Sequence, residues 1–274
     1  VIKTGSLILI NSKEVMSLIE VIIKDQCHQI KINRPEVYNA LNLEGKMQII
    51  EAIKKANRDE QCRSIILTAE GKAFCSGQDL NDRSVKPGNG PVDIGHTLET
   101  EWNPLIDSIR ESQKIIICAI NGVCAGAGLS VALACDLKIS APQVKFISGF
   151  VQIGLIPDAG QSSMLVRQMG YTKALEFTLL GKPLLAEQFL AYNLINEVHE
   201  APLLRALEWS KQLKDLAPLA VAQLKNNLKQ AMELSFKVMI EREKASQRFL
   251  GFSEDYQEGV KAFFEKRTPT FKGK

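Results

Sequence analysis

The stretch Lys114–Asp136, KIIICAINGVCAGAGLSVALACD, constrains this chain more than any other, because no charged residue lies between its ends. An apolar run of that length can cross a bilayer as a helix. Its residues argue for something else. Ile115, Ile116 and Ile117 form a β-branched run suited to a buried strand. Asn121-Gly122 is a turn dipeptide, and Gly126 and Gly128 are poor choices inside a short helix. Leu129–Cys135 then supplies apolar helix formers, and Asp136 closes the run. The economical parse is strand, glycine-rich turn, buried helix. Such a turn offers free backbone N–H groups at a helix N-terminus, where negative charge is stabilised.

Composition narrows the function classes. A chain of 274 residues with 45% apolar and 24% charged residues fits one large globular domain, or one domain with an appendage. A net charge of +3 is too small to imply nucleic acid or an acidic membrane surface, and suits an anionic small molecule. The six cysteines (Cys27, Cys62, Cys75, Cys118, Cys124 and Cys135) form no C-x-x-C pair and sit in apolar surroundings. They read as reduced, buried thiols of a cytoplasmic protein, with neither a disulfide framework nor a zinc site. His28, His96 and His199 are too scattered for a metal site and read as surface or loop residues. Residues 1–15 read as a leader or as expression-derived sequence, with the native start expected at Met16.

Along the chain, Glu20–Lys24 and Gln29–Asn33 predict a hairpin. Asn42–Asn57 predicts a helix with Leu43, Met47, Ile50 and Ile53 on its apolar face. Ser64–Leu67 is a buried strand, and Gly71–Leu80 a small-residue loop running into a helix start. Arg83–Thr100, with Pro87, Gly88, Gly90, Pro91 and Gly95, reads as a mobile loop of the kind that covers active sites. Glu101–Ser112 reads as a helix, and Leu137–Ser140 and Val144–Ile147 as strands. From Gln161 onward helical patterns dominate, ending in Pro218–Lys229, Glu233–Phe249 and Glu254–Lys266. Strand–helix alternation followed by helices predicts an α/β core (16–200) with a C-terminal helical region (201–274).

Gly126-Ala127-Gly128 admits several chemistries. The dinucleotide fingerprint fails, because Val131 stands where the third small residue belongs. A phosphate loop fails for want of Gly-Lys-Ser/Thr. Gly128-Leu129-Ser130-Val131-Ala132 approximates a nucleophile elbow without its last glycine, and His199 is the only downstream histidine for a triad. The plainest alternative is that these glycines merely let a helix lie close to a strand.

AFCSGQDL (Ala73–Leu80) together with NGVCAGAGLSVALACDL (Asn121–Leu137) resembles the enoyl-CoA hydratase/isomerase, or crotonase, superfamily. INRPEVYNALN (Ile32–Asn42), GLIPDAG (Gly154–Gly160) and EGVKAFFEKRTPTFKG (Glu258–Gly273) fit the same family in the same order. The resemblance implies a spiral of ββα units with a C-terminal helical trimerisation region, and trimers or hexamers built as dimers of trimers. It implies acyl-CoA thioester substrates, with CoA as part of the substrate and no metal or nucleotide cofactor. It also implies reaction through an enolate whose oxygen is held by the main-chain N–H groups of Gln78, just after Gly77, and Ala127, just after Gly126. Preorganised donors of this kind contribute roughly 3–4 kcal/mol to a transition state. By the same motifs, Gly77, Gly126, Gly128, Ser130 and Phe150 fall at substrate-binding positions. Ala40, Ala73, Ser76, Asp79 and Leu80 fall along the pantetheine and adenine path. Phe263 and Lys266 match positions that reach CoA, often in a neighbouring subunit; as plain sequence they equally suit an amphipathic helix end.

The superfamily's hydratases carry two glutamates that activate water, and the motifs put those positions at Ser130 and Phe150. Neither side chain is a base near neutral pH. Asp158, in Leu155-Ile156-Pro157-Asp158-Ala159-Gly160, matches the acidic residue with which the superfamily's isomerases shuttle a proton. Pro-Asp-x-Gly is also a common turn, so Asp158 suits a helix cap as well. The aspartate form, with ALACDL and FVQIGLIPD, looks most like the ring isomerases of phenylacetate breakdown, a branch of the same superfamily. The other readings are a plain 3-enoyl to 2-enoyl-CoA isomerase, a hydratase (disfavoured by Ser130 and Phe150), and a non-catalytic acyl-CoA-binding subunit. Phe150 is expected to make the pocket drier and raise the aspartate's pKa. Gln161 replaces a glycine often found in the family, which predicts a different pocket shape beside Asp158.

Overall fold

A computed structural model of the chain describes residues 17–82 and 92–274. The expected leader, Met16 and the first part of the expected Arg83–Thr100 loop lie outside the described residues. The chain opens with the hairpin β1 (Ile19–Lys24) and β2 (Cys27–Ile32), paired with Ile19 opposite Ile32. Its two-residue turn puts Asp25 and Gln26 at φ of 52° and 62°, the left-handed pair that matches the strands' own twist. His28, expected on a surface or loop, is instead buried in β2, where its Nε2 lies 2.8 Å from Asp59. α1 (Leu43–Arg58) starts at Asn42, whose side chain accepts from Gly45 N–H.

The buried face of α1 differs from the predicted stripe. Ile50 and Ile53 point inward as expected, but Leu43 and Met47 are about half exposed and Lys46 is buried. The reason is local: Lys46 has buried polar partners, described below, that apolar periodicity cannot see.

After β3 (Ser64–Ala69), part of the expected Gly71–Leu80 loop is a short strand, β4 (Ala73–Cys75), and residues 80–82 form a turn where a helix start was expected. Its three residues are buried, and Ala73 and Cys75 pair in parallel with Val123 and Cys124, which no turn residue signals. The later part of the expected loop is helical. Asp93 caps α2 (Ile94–Thr97), a π-helical turn over Leu98–Trp102 follows, and α3 (Asn103–Arg110) continues it.

The central stretch folds as strand, turn and helix, with one element more than predicted. β5 (Ile115–Ile120) leads through Asn121-Gly122 into β6 (Val123–Ala125), and the buried helix α4 runs over Ala127–Ala134. β7 (Leu137–Ser140), β8 (Lys145–Ile147) and α5 (Gln161–Leu180) follow, α5 being broken at Gly170. Then come β9 (Leu184–Leu185), α6 (Ala186–Ala191), β10 (Glu197–Val198), α7 (Pro202–Lys214), α8 (Pro218–Ala231), α9 (Phe236–Gly251) and α10 (Glu254–Glu265).

Among the described residues the strands form two sheets, ordered β1-β2-β3-β5-β7-β10 and β4-β6-β8-β9. β3/β4, β5/β6 and β7/β8 each give one strand to each sheet before a helical segment follows. This is the expected α/β spiral of ββα units with helices after it. Alternation along the strands serves two cores. Ile65, Leu67, Ile116 and Cys118 face a main core shared with α1, α3, α4, α5 and α6. Ile66, Ile117, Ala119 and Ile139 face the other way, against Ala206 and its neighbours on α7. All six cysteines are buried and unpaired, as expected. Among the described residues no helix is long and apolar enough to cross a membrane.

Candidate active site

The first half of the site is built where the chain leaves β4. Leu41 forms a parallel bridge with Gln78: Leu41 N–H donates to Gly77 O at 2.8 Å and Leu41 O accepts from Asp79 N–H at 3.0 Å. This register uses the Gly77 carbonyl and the Asp79 N–H, and turns the Gln78 N–H to the opposite side. Among the described residues that N–H has no acceptor. The Gln78 side chain points into a polar cluster. Its Oε1 accepts from Trp102 Nε1 at 2.8 Å and Lys46 Nζ at 3.1 Å, and its Nε2 donates to Asp79 O at 3.0 Å. Lys46 also pairs with Glu101 and lies 4.8 Å from the Trp102 ring centre. The π-helical turn thus brings both Glu101 and Trp102 to this cluster.

The second half forms where the chain leaves β6. Gly126 sits at φ 53°, ψ −132°, a conformation open only to glycine, and its N–H donates to Ile147 O at 3.0 Å. Its carbonyl accepts twice, from Leu129 N–H at 3.0 Å and Gln161 Nε2 at 3.0 Å. Ala127 opens α4, and its N–H has no acceptor among the described residues. The two halves adjoin. A Cβ built on Gly77 would lie 3.1 Å from Ala127 N, and one on Gly128 would lie 2.3 Å from Cys75 O. Two N–H groups with no acceptor among the described residues therefore lie in adjoining segments, one of them at the N-terminus of a buried helix. That arrangement suits an oxyanion.

The third part is the turn before α5. Asp158 is half-buried, and its carbonyl accepts from Gln161 N–H at 3.0 Å and Ser130 Oγ at 3.1 Å. Ala159 and Gly160 follow at φ of 50° and 78°. Gly160, not Asp158, holds the N-cap position of α5. Phe150 is buried, and its carbonyl accepts from Ile153 and Leu155 N–H at the head of this turn. Ser130 is fully buried; besides donating to Asp158 it accepts from Gln161 Nε2 at 3.1 Å. The nucleophile-elbow reading fails on this geometry. His199 is engaged in its own turn, its Nδ1 accepting from Ala201 N–H at 3.0 Å, and it makes no bond to Ser130. A thiol nucleophile is equally poor, since burial pushes Cys75, beside Gly128, up to about 12.

The structure thus brings Gly77, Gln78, Gly126, Ala127, Gly128, Ser130 and Asp158 together. Ala40 and Ala73 are buried nearby, bound through Asn39, whose amide donates to Ala73 O at 2.7 Å, and Arg34, which donates to Ala40 O at 2.6 Å. Ser76 is half-buried and Leu80 is exposed. Asp79 is buried against Arg34, with 2.9 Å between Oδ2 and Nη2. Burial pushes its carboxyl up, but the Asn81 N–H and the Arg34 guanidinium outweigh that and hold it below the usual aspartate value. Asp79 therefore braces the loop. Phe263 lies exposed on α10 and Lys266 exposed at its C-cap, and Phe263 lines a groove with Leu219, Leu250 and Phe271 that includes none of Gln78, Ala127 and Asp158. Sequence reading missed Lys46, Trp102 and Arg34. It noticed Gln161 only as a departure from the family pattern. Among the described residues no three His, Cys, Asp or Glu side chains gather as a metal site.

A family model described as enoyl-CoA hydratase/isomerase matches residues 23–274. The chain is 38% identical to 1,2-epoxyphenylacetyl-CoA isomerase of Escherichia coli (strain K12), over 89% of this chain and 94% of that protein. It is 35% identical to a probable enoyl-CoA hydratase of Rhodobacter capsulatus, over the same shares of the two chains. Among solved structures, an enoyl-CoA hydratase from Polaromonas sp. JS666 superposes with a TM-score of 0.86 at 31% identity, covering 92% of this chain and 99% of the other.

Proposed function

Since this chain belongs to the enoyl-CoA hydratase/isomerase family, we propose that it is an acyl-CoA isomerase in which Asp158 moves the proton and the N–H groups of Gln78 and Ala127 hold the thioester oxygen. One observation carries the choice of isomerase over hydratase. At the position where the resemblance puts a hydratase acid stands Ser130, and its hydroxyl is committed to the Asp158 carbonyl. Phe150 takes the second such position and is buried. Asp79 and Glu101 are engaged by Arg34 and Lys46; Asp158 is the carboxylate at the position where the resemblance puts an isomerase acid, and one suffices for a proton shift.

The reaction follows from the parts. The Asp158 carboxylate removes a proton from the carbon α to the thioester of a 3-enoyl-CoA. The electron pair moves onto the carbonyl oxygen, giving a dienolate held by the two N–H groups. The dienolate collapses as the aspartic acid returns the proton to the γ carbon, leaving the double bond at position 2. Every step uses groups of the chain and the substrate alone. Ring-epoxidised phenylacetyl-CoA is the leading natural substrate, supported by the 38% identical isomerase; a plain 3-enoyl-CoA of fatty-acid oxidation is the second. The exposed apolar residues Phe236, Val238, Ile240, Phe249 and Phe252 support assembly of trimers or hexamers through the C-terminal helices.

The test compares wild type with Asp158→Asn for isomerisation of 3-enoyl-CoA and hydration of crotonyl-CoA. The expected outcome is loss of isomerisation by about 100-fold or more in the variant, the scale of a lost general base. Hydration should be negligible in both. Undiminished isomerisation removes Asp158 from the mechanism, efficient hydration overturns the isomerase choice, and CoA binding without turnover supports the non-catalytic reading.

A further inference from the structure

We propose that Gln161 is a positioning residue, whose carboxamide locks the Gly126–Ala127 peptide and the Asp158 turn into one unit; the inference rests on the isomerase reading above. The carboxamide is fully buried, and both its oxygen and its nitrogen are hydrogen-bonded. Ser148 Oγ donates to Oε1 at 2.7 Å, while Nε2 donates to Gly126 O at 3.0 Å and Ser130 Oγ at 3.1 Å. A backbone carbonyl accepts and never donates, so the contact with Gly126 fixes which end of the amide is nitrogen.

Two consequences follow from those three bonds. Gly126 C=O and Ala127 N–H belong to one peptide plane. A donor on the carbonyl therefore sets the direction of the N–H that faces the substrate oxygen, and polarises it. With Leu129 N–H as the second donor, that carbonyl is fully engaged and the peptide is a stronger donor on its other side. The same nitrogen also holds Ser130, whose hydroxyl in turn donates to the Asp158 carbonyl. The Gln161 backbone N–H bonds that carbonyl as well. One residue thus ties the oxyanion donor to the peptide of the proton shuttle, with Ser148 holding the far end of its side chain. A residue that only filled space here would need none of these polar atoms, and burying them without partners is costly.

The test uses Gln161→Met, which keeps the volume and removes the polar atoms, and Ser148→Ala, which frees the anchored end. Two readouts separate positioning from folding. One is kcat against KM for a 3-enoyl-CoA. The other is the infrared carbonyl stretch of a bound unreactive acyl-CoA thioester, which moves to lower frequency as oxyanion donors pull on the oxygen. The expected result for Gln161→Met is a kcat lower by about tenfold or more, with KM within about twofold and a smaller red shift of the carbonyl. Ser148→Ala should shift both in the same direction by less. A folded Gln161→Met with unchanged kcat and carbonyl stretch overturns the inference. So does an unchanged Ser148→Ala where Gln161→Met does not fold. Absence of any red shift in the wild type overturns the oxyanion reading itself, a separate outcome from failure of either variant.

Discussion

The two peptides that face the candidate oxyanion position are held by different means. Gly77–Gln78 is fixed by main chain, its carbonyl accepting from Leu41 N–H in a bridge that any residue but proline at position 41 could make. Gly126–Ala127 is fixed partly by a side chain, since its carbonyl needs Gln161 as well as Leu129. Charge is distributed unequally too. Behind the first peptide sit Lys46, Glu101, Arg34 and Asp79; behind the second, Ser148, Gln161 and Ser130 are all neutral. The first half is thus robust to side-chain change but coupled to ionisation. The second is held by neutral side chains and is open to tuning by substitution.

The largest effect should come where the halves touch. Gly128→Ala puts a Cβ 2.3 Å from Cys75 O, in the strand that delivers Gly77. An exposed helical glycine gains about 1 kcal/mol on becoming alanine. Here overpacking should reverse the sign to a loss of about 2–3 kcal/mol in urea denaturation. Pushing the two N–H groups apart should also lower kcat/KM by about 100-fold. A stable, active Gly128→Ala would show that the halves are not in register.

A smaller effect is expected from Trp102→Phe, which deletes the 2.8 Å bond to Gln78 Oε1. The cost should be about 1 kcal/mol in stability, with activity changed by less than tenfold, because Leu41 still holds the peptide. If Trp102→Phe lowers kcat more than Gln161→Met does, the comparison is inverted and the side-chain cluster governs the first half.

The smallest effect concerns pH. Asp79 lies below its ordinary value of 3.8 when folded, so its pairing with Arg34 stabilises the loop fully above that value and is lost as pH falls through the lower folded one. Hydrogen-exchange protection of the Leu41 and Asp79 amides should therefore decline on acidification from about pH 5 to pH 2, more than that of Leu129. Asp79→Asn should flatten the difference. Equal decline at all three amides would remove the distinction between a charged and a neutral half.

Sequence reading was strongest where chemistry is local. The uncharged run from Lys114 to Asp136, the Asn121-Gly122 turn and Gly126 each announce their backbone, and the fold agrees, whereas Gly128, read as part of the turn, lies inside α4. It was weakest where a residue's environment is made by distant chain. Nothing near position 46 says that a lysine turns inward, because its partners come from 78 and 101, and the same holds for His28 with Asp59. Strand β4 was hidden for a related reason: Ala73, Phe74 and Cys75 become a strand only when β6 lies alongside. Gln161 was visible as an exception to a pattern, but its bonds to Ser148, Gly126 and Ser130 arise only once β6, β8 and α5 meet. Asp158 could be read as cap or acid; the structure gives the cap position to Gly160 and ties Asp158 to Ser130.

The most direct test of the central claim is a crystal structure of the protein with an unreactive acyl-CoA thioester bound. The account predicts the thioester oxygen at about 2.7–3.1 Å from both Gln78 N and Ala127 N. It also predicts the α carbon within reach of the Asp158 carboxylate. A thioester oxygen bonded to neither N–H, or an acyl chain that leaves Asp158 out of reach of the α carbon, would contradict it.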